Sequence, residues 1–102
     1  MPSFPQYHRV SNLFLRARIL SSIRAFFQKS GYLEVETPVR IPTPLPEAHI
    51  DVFPAGGAFL QPSPEGCMKR LLAAGYSKIF QICRCFRKGE RGARHLPEFT
   101  LL

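Results

Sequence analysis

Apolar residues recur at helical spacing from Leu13 onward. Leu13, Ala17, Leu20, Ile23 and Phe27 fall on one stripe, joined by Ile19 and Phe26. A period near 3.6 predicts an amphipathic helix. Arg16, Arg18, Arg24 and Lys29 lie off the stripe or at its margin. Ser11 or Asn12 stands where an N-cap belongs, and Gly31 where a left-handed residue would end the helix. The helix so predicted runs for about 17 residues, and residues 1–11 ahead of it read as a loose segment.

The period then changes. Tyr32-Leu33-Glu34-Val35-Glu36 alternates apolar and acidic positions, the pattern of a strand with one wet face, and Thr37-Pro38 ends it. Residues 38–64 hold seven of the ten prolines, which predicts extended, turning chain rather than helix. Ala55-Gly56-Gly57-Ala58 reads as a hairpin turn before Phe59-Leu60-Gln61. Ser63 as N-cap, Pro64 at the first helical position and Glu65 in the first turn announce a second helix, which Gly75 would close. Lys78 to Arg87 reads as a strand. One face carries Phe80, Ile82, Arg84 and Phe86. The other carries Ile79, Gln81, Cys83, Cys85 and Arg87, polar enough for the floor of a binding site. Lys88 to His95 is then a hairpin loop and Pro97 to Leu102 the returning strand. No internal repeat or low-complexity tract interrupts this order. Helix, strand, irregular chain, helix and hairpin together predict an α+β domain: an antiparallel sheet with flanking helices. The chain stops at a strand, with no element after it to cover the sheet, so the domain is expected to be incomplete at its C-terminus.

Composition narrows the partners. The 102 residues make one domain or less, and a chain this short buries only about 60–65% of its unfolded surface. Hydrophobic content of 45% with nine Phe is enough for a core. Fourteen Lys and Arg against seven Asp and Glu give a net charge of +7, which suits an anionic partner without choosing one. Residues 1–11 hold no signal-peptide core, and no apolar run approaches the roughly 20 residues that span a bilayer. Cys67, Cys83 and Cys85 are an odd three, so no disulfide framework is implied. Cys83 and Cys85 would share a strand face and could begin a metal site, but four ligands are wanted, and Cys67, His49 and His95 stand at no supporting spacing. Reduced thiols of a cytoplasmic protein are expected.

The stretch from Phe86 to Phe99, FRKGERGARHLPEF, holds the main candidate chemistry. Arg87 ends a strand, and Arg offers a rigid, always charged fork for phosphate or carboxylate. Lys88, Arg91 and Arg94 surround it on a loop with Gly89 and Gly92, which let such a loop close over a ligand. Phe99 on the returning strand offers a flat surface for a base. Three readings stay open on these residues: a solvated hairpin tip with Phe99 in the core, a nucleotide site, and a nucleic-acid patch.

The same residues carry a family resemblance. Phe86-Arg87, the step to His95, and Pro97-Glu98-Phe99-Thr100 resemble motif 2 of class II aminoacyl-tRNA synthetases in its lysyl form, R-x-E-x5-H-N-P-E-F-T. Residues 12–38, ending Gly-Tyr-Leu-Glu-Val-Glu-Thr-Pro, resemble motif 1, the helix and strand at the dimer interface. Ser63-Pro64-Glu65 followed by Met68-Lys69-Arg70-Leu71-Leu72 resembles the lysyl-type S/A-P-E-x-x-x-K-R-L segment. The three cover residues 12–102, with motif 2 at about residues 79–102. Lysyl-tRNA synthetases carry an anticodon-binding domain before motif 1, whereas here motif 1 begins about ten residues after Met1. Phe80-Gln81-Ile82-Cys83-Arg84-Cys85-Phe86-Arg87 is also similar to the F-Q-L-C-R-S-F-R of the truncated paralogues. Those ligases activate (R)-β-lysine with ATP and transfer it to a lysine of elongation factor P.

The resemblance implies roles residue by residue. Arg87 matches the Arg that bridges the ATP α-phosphate and the substrate carboxylate. Phe99 matches the Phe that stacks on adenine, His95 the loop His near the nucleotide, and Glu65 the acid that holds the substrate amino group. Pro38 matches the structural proline of motif 1 and implies a homodimer through that motif. The family places its loop Glu two residues after the Arg; here Gly89 stands there and Glu90 follows, so Glu90 is the candidate for that ATP contact. Leu96 replaces the usual Asn. The Mg²⁺ carboxylates and motif 3, with its second Arg, belong downstream of Leu102 in the family pattern, so these 102 residues alone are expected not to form adenylate at an appreciable rate. The implied partners are ATP, lysine or β-lysine and elongation factor P, with no membrane. Two alternatives stand beside this: a lysyl-tRNA synthetase fragment acting on tRNA, and a non-catalytic dimerisation or binding module. The residues carry a further bland reading as well: Glu65 serves as a first-turn helix acid, His95 as a plain loop residue, and Glu34 and Glu36 as a solvated or interface strand face.

Overall fold

A computed structural model describes residues 6–43, 51–88 and 96–102, with the backbone alone at residues 6–9. The chain divides into two compact units, Met1–Glu34 and Val35–Leu102.

The first unit is a helix and a short strand. Helix α1 spans Gln6–Lys29, seven residues longer at its start than the apolar stripe from Leu13 predicts. Ser11 and Asn12 therefore lie inside the helix and cap nothing. The reason is local: between Pro5 and Gly31 the sequence has neither Pro nor Gly, so nothing stops propagation backward. Gly31 ends the helix as expected. Its φ is +85°, its amide donates to the Gln28 carbonyl at 3.1 Å, and the Tyr32 amide reaches back to Phe27 at 2.9 Å. That pair of bonds is a Schellman motif, and Tyr32 packs edge-on against Phe27, ring centroids 5.3 Å apart.

The apolar side chains of α1 are only partly covered by the described residues. Leu13, Phe14, Leu15, Ile19 and Phe26 are exposed, Phe14 by 70%; Leu20, Ile23 and Phe27 are half-buried. Within its unit the helix has only β1, Leu33–Glu34, to lie against. The strand is shorter than its alternation suggests, and its sense is reversed. Leu33 points outward, 53% exposed, while Glu34 is half-buried and takes the Arg24 Nε–H on both carboxylate oxygens, at 3.1 and 2.9 Å. An Arg ten residues back, near the end of α1, draws the acid inward. The pair is partly solvated and is worth no more than about 1 kcal/mol.

The second unit is built on antiparallel strands, as the α+β reading expects. Strands β2 (Arg40–Ile41), β3 (Pro54–Ala55) and β4 (Ala58–Leu60) form one sheet in the order β2-β4-β3. The β3–β4 turn is Gly56-Gly57, with φ of +56° and +81°. Two consecutive positive φ values make the hairpin turn whose twist matches the strands. Arg40 secures it, donating from Nε to Ala55 O at 2.7 Å and from Nη2 to Gly56 O. Helix α2 follows at Glu65–Ala73. It starts one residue later than expected. Pro64 holds the N-cap position without a side-chain cap bond, and Ser63 Oγ accepts the Glu65 amide at 3.0 Å. Gly75, φ +108°, closes α2 with a second Schellman pair: Gly75 N–H to Leu72 O and Tyr76 N–H to Leu71 O, at 3.1 and 3.2 Å.

The strand expected over residues 78–87 is two strands, β5 (Ile79–Phe80) and β6 (Cys83–Phe86). The break falls at Gln81, whose buried amide binds Thr37: Oε1 accepts the Thr37 N–H at 3.1 Å, and Nε2 donates to Thr37 Oγ1 at 2.9 Å. Side-chain bonding of this kind replaces the ladder that an unbroken strand would need. Strand β7 (Glu98–Leu101) returns antiparallel to β6. The core is small and gathers Ile41, Ala58, Phe80 and Cys85, with Gln61 and Gln81 buried among them.

Candidate active site

The β6–β7 ladder sets the site. Its register opposes Cys85 to Phe99 and Phe86 to Glu98. Directly opposed side chains share a face, and diagonal neighbours on that face stay within reach of long side chains. Arg87, two residues beyond Cys85, is therefore diagonal to Phe99. The guanidinium carbon of Arg87 stands 5.1 Å from the centre of the Phe99 ring, within cation–π range.

Arg87 is anchored on its inner side. Its backbone amide donates to Pro97 O at 2.9 Å and its Nε–H to Pro62 O at 3.2 Å. Among the described residues neither Nη nitrogen has a hydrogen-bond partner. A guanidinium held through Nε in this way can offer its Nη donors to an oxyanion. Both Arg87 and Phe99 are half-buried, positioned by the sheet yet reachable.

The expected polar floor is confined to this end of the strand. Along the rest of that face Gln81 is 5% exposed and Cys85 fully buried, so these positions belong to the interior. Cys83 and Cys85 do share a side, their sulfurs 3.8 Å apart. Burial pushes both thiols up, Cys85 to about 12 with the neighbouring Cys83 adding to the effect. Neither is a thiolate at neutral pH. Cys67, Cys83 and Cys85 are all free. Among the described residues no three His, Cys, Asp or Glu side chains come together as metal ligands.

Glu65 opens α2, where the helix dipole favours an acid. It is exposed and forms an ion pair with Lys69 one turn on, Oε1 to Nζ 2.9 Å. That hydrogen bond raises the Lys69 pKa. Glu65 and Arg87 come from distant parts of the sequence, but the chain between β4 and α2 ties them together. Phe86 donates its amide to Gln61 O at 2.9 Å, Arg87 binds Pro62 O, and three residues later comes Glu65. A pocket of about 110 Å³ opens beside this joint, between Ile41 and Thr43 on one side and Pro62, Ser63, Cys67 and Arg70 on the other. Neither Arg87 nor Phe99 lines it.

Pro38 is exposed in the extended stretch before β2, beside Val39, whose carbonyl accepts the Gln61 amide at 2.8 Å. Glu90, His95, Arg91 and Arg94 lie outside the described residues. At the start of that segment Lys88 pairs with Asp51, amide to carbonyl 2.9 Å, a contact the sequence pattern did not suggest. Gln61 was also missed. Its signal was present: a polar residue closing the strand Phe59-Leu60-Gln61, on the same alternation phase as Phe59.

Comparison with known proteins agrees with this architecture. The family model for class II tRNA synthetases (D, K and N) matches residues 5–102. The chain is 48% identical to an elongation factor P–(R)-β-lysine ligase of Mannheimia succiniciproducens, over 99% of this chain and 33% of that protein. It is 48% identical to the ligase of the same name from Baumannia cicadellinicola over 91% of the chain. The Actinobacillus succinogenes ligase is 45% identical, again over 91%. The chain spans about a third of the length of these relatives. With a family model covering nearly all of its residues, the chain belongs to the class II tRNA synthetase family (D, K and N).

Proposed function

We propose that the protein carrying this chain is a cytoplasmic ligase that activates lysine or (R)-β-lysine with ATP and transfers it to a lysine of elongation factor P. The observation that carries the reading is the Arg87 fork, anchored through Nε, with its Nη atoms without a hydrogen-bond partner among the described residues, beside the Phe99 ring. The acceptor comes from the relatives, which are elongation factor P–(R)-β-lysine ligases.

In the first step a substrate carboxylate oxygen attacks the α-phosphorus. The bond from that phosphorus to the bridging oxygen breaks, and pyrophosphate leaves with the electron pair. Arg87 holds the α-phosphate and the attacking carboxylate together and meets the charge that grows on the phosphoryl oxygens. Phe99 stacks on adenine, and Glu90 and His95 lie near the nucleotide. Glu65 receives the substrate ammonium, which takes the place of the Lys69 ammonium. In the second step the acceptor amine attacks the adenylate carbonyl, AMP departs, and the amine loses a proton. Among the described residues no three His, Cys, Asp or Glu side chains come together, and the carboxylates for Mg²⁺ belong downstream of Leu102 in the family pattern.

ATP–pyrophosphate exchange dependent on β-lysine, followed by mass gain of elongation factor P, tests the reading. Exchange that ends in charged tRNA instead would mark a lysyl-tRNA synthetase. A second reading, a dimerisation module, is favoured by the uncovered apolar side chains of α1. The homodimer through α1 and Pro38 belongs to both readings. Sedimentation of the native protein tests it, with a monomer at micromolar concentration counting against it.

A further inference from the structure

Gln61 and Gln81 are the two buried polar side chains among the described residues, and they are satisfied differently. The Gln81 amide is bonded at both ends, to Thr37 and, through Nε2, to Met68 Sδ at 3.3 Å. The Gln61 Nε2 donates to Arg84 O at 2.9 Å and the amide also reaches the Cys83 thiol, whereas its fully buried Oε1 has no hydrogen-bond partner of its own among the described residues. Burying an amide with an unmatched acceptor is unfavourable. Met has the same length and would fill the space without that orphan. What only the amide supplies is the donor that ties β4 to β6.

The backbone repeats the tie. Gln61 N–H binds Val39 O at 2.8 Å, Gln61 O accepts Phe86 N–H at 2.9 Å, and the next carbonyl, Pro62 O, takes Arg87 Nε–H at 3.2 Å. Four residues after Gln61 stands Glu65. One residue thus clamps β6 at Arg84 and Phe86, immediately before Arg87, while leading the chain into α2.

We infer that Gln61 is a positioning residue: it fixes the Arg87 guanidinium relative to Glu65, with Pro62 O as the point of contact. The inference rests on the roles proposed above for Arg87 and Glu65. Positioning matters because a misplacement of about 1 Å can cost on the order of 100-fold in rate.

The test uses the protein at the length its gene encodes, comparing Gln61→Met with Gln81→Leu as a control for general destabilisation. The first readout is solvent exchange of the Arg87 Nε–H by ¹⁵N NMR. Gln61→Met is expected to speed that exchange about tenfold or more, and Gln81→Leu to leave it unchanged while lowering the unfolding midpoint. The second readout is β-lysine-dependent pyrophosphate exchange. Gln61→Met is expected to lower kcat by about 10- to 100-fold with KM for ATP within about threefold. Unchanged Nε–H exchange in Gln61→Met, or equal acceleration in Gln81→Leu, overturns the inference. Should Gln61→Met not fold, the unsubstituted protein decides: an Arg87 Nε–H exchanging as fast as free arginine overturns it, and a protected one supports it. If the unsubstituted protein shows no pyrophosphate exchange, the functional reading falls, while the Nε–H comparison still decides the role of Gln61.

Discussion

The guanidinium of Arg87 covers the ring of Phe99, 5.1 Å from its centre. The two groups that the proposed chemistry assigns to phosphate and base therefore touch each other. Each contributes to holding the other: the ring orients the cation, and the cation shields part of the ring. Substitution at either position should perturb both functions.

Replacing Arg87 separates charge from geometry. Arg87→Ala is expected to lower β-lysine-dependent pyrophosphate exchange on the order of 100- to 1,000-fold, the usual cost of a lost transition-state donor. Arg87→Lys keeps the charge but loses the planar fork and the Nε–H that binds Pro62 O. It should recover less than a tenth of the native rate. Full activity of the lysine variant would show that charge alone suffices.

Phe99→Leu keeps an apolar side chain on β7 but removes the π surface. Stacking of a base on an aromatic side chain is worth about 1–3 kcal/mol, so KM for ATP should rise about tenfold or more. Steady-state kinetics at varied ATP checks this, and a KM unchanged within twofold would exclude the stacking role.

The Cys85 thiol gives a pH signature. An unfolded thiol ionises near 9.0, but in the fold burial holds Cys85 neutral to about 12. Above pH 9 the unfolded chain sheds a proton that the folded chain retains, so stability falls progressively between those values. Below pH 9 Cys85 contributes no slope. Urea unfolding followed from pH 8 to 10.5 should show this decline, and Cys85→Ala should flatten it relative to the native protein.

Gly75 isolates backbone strain. It adopts φ +108°, and a Cβ added there meets nothing within 4 Å. Gly75→Ala should thus cost only the torsional penalty, about 1–2 kcal/mol, without a steric term. Chemical denaturation measures it. A neutral outcome would mean that the end of α2 relaxes when the Schellman bonds are lost.

The parts of this fold legible in the sequence are those that backbone chemistry dictates. Gly31, Gly75 and Gly56-Gly57 stand where φ must be positive, and helix ends and a hairpin turn follow from that. Motif spacing sets Arg87 just past the end of β6 and Phe99 on its partner strand β7. What stayed hidden depends on partners that periodicity cannot name. The stripe on α1 marks a face but not what covers it. Glu34 alternates like a solvated residue until Arg24 claims it. The strand through Gln81 looks continuous until its amide finds Thr37 (44 residues away). Gln61 looked like a strand end, and its importance appears only once Arg84, Phe86 and Arg87 are seen against it.

The thiols have a practical consequence for watching the protein at work. Maleimides react with thiolate, and burial keeps Cys83 and Cys85 protonated. Cys67 instead lines the pocket beside the Gln61–Glu65 joint, two residues from Glu65. Among the three cysteines of these 102 residues Cys67 is thus the preferred attachment point for an environment-sensitive dye, and under the proposed role of Glu65 the fluorescence of that label would report substrate arrival at α2.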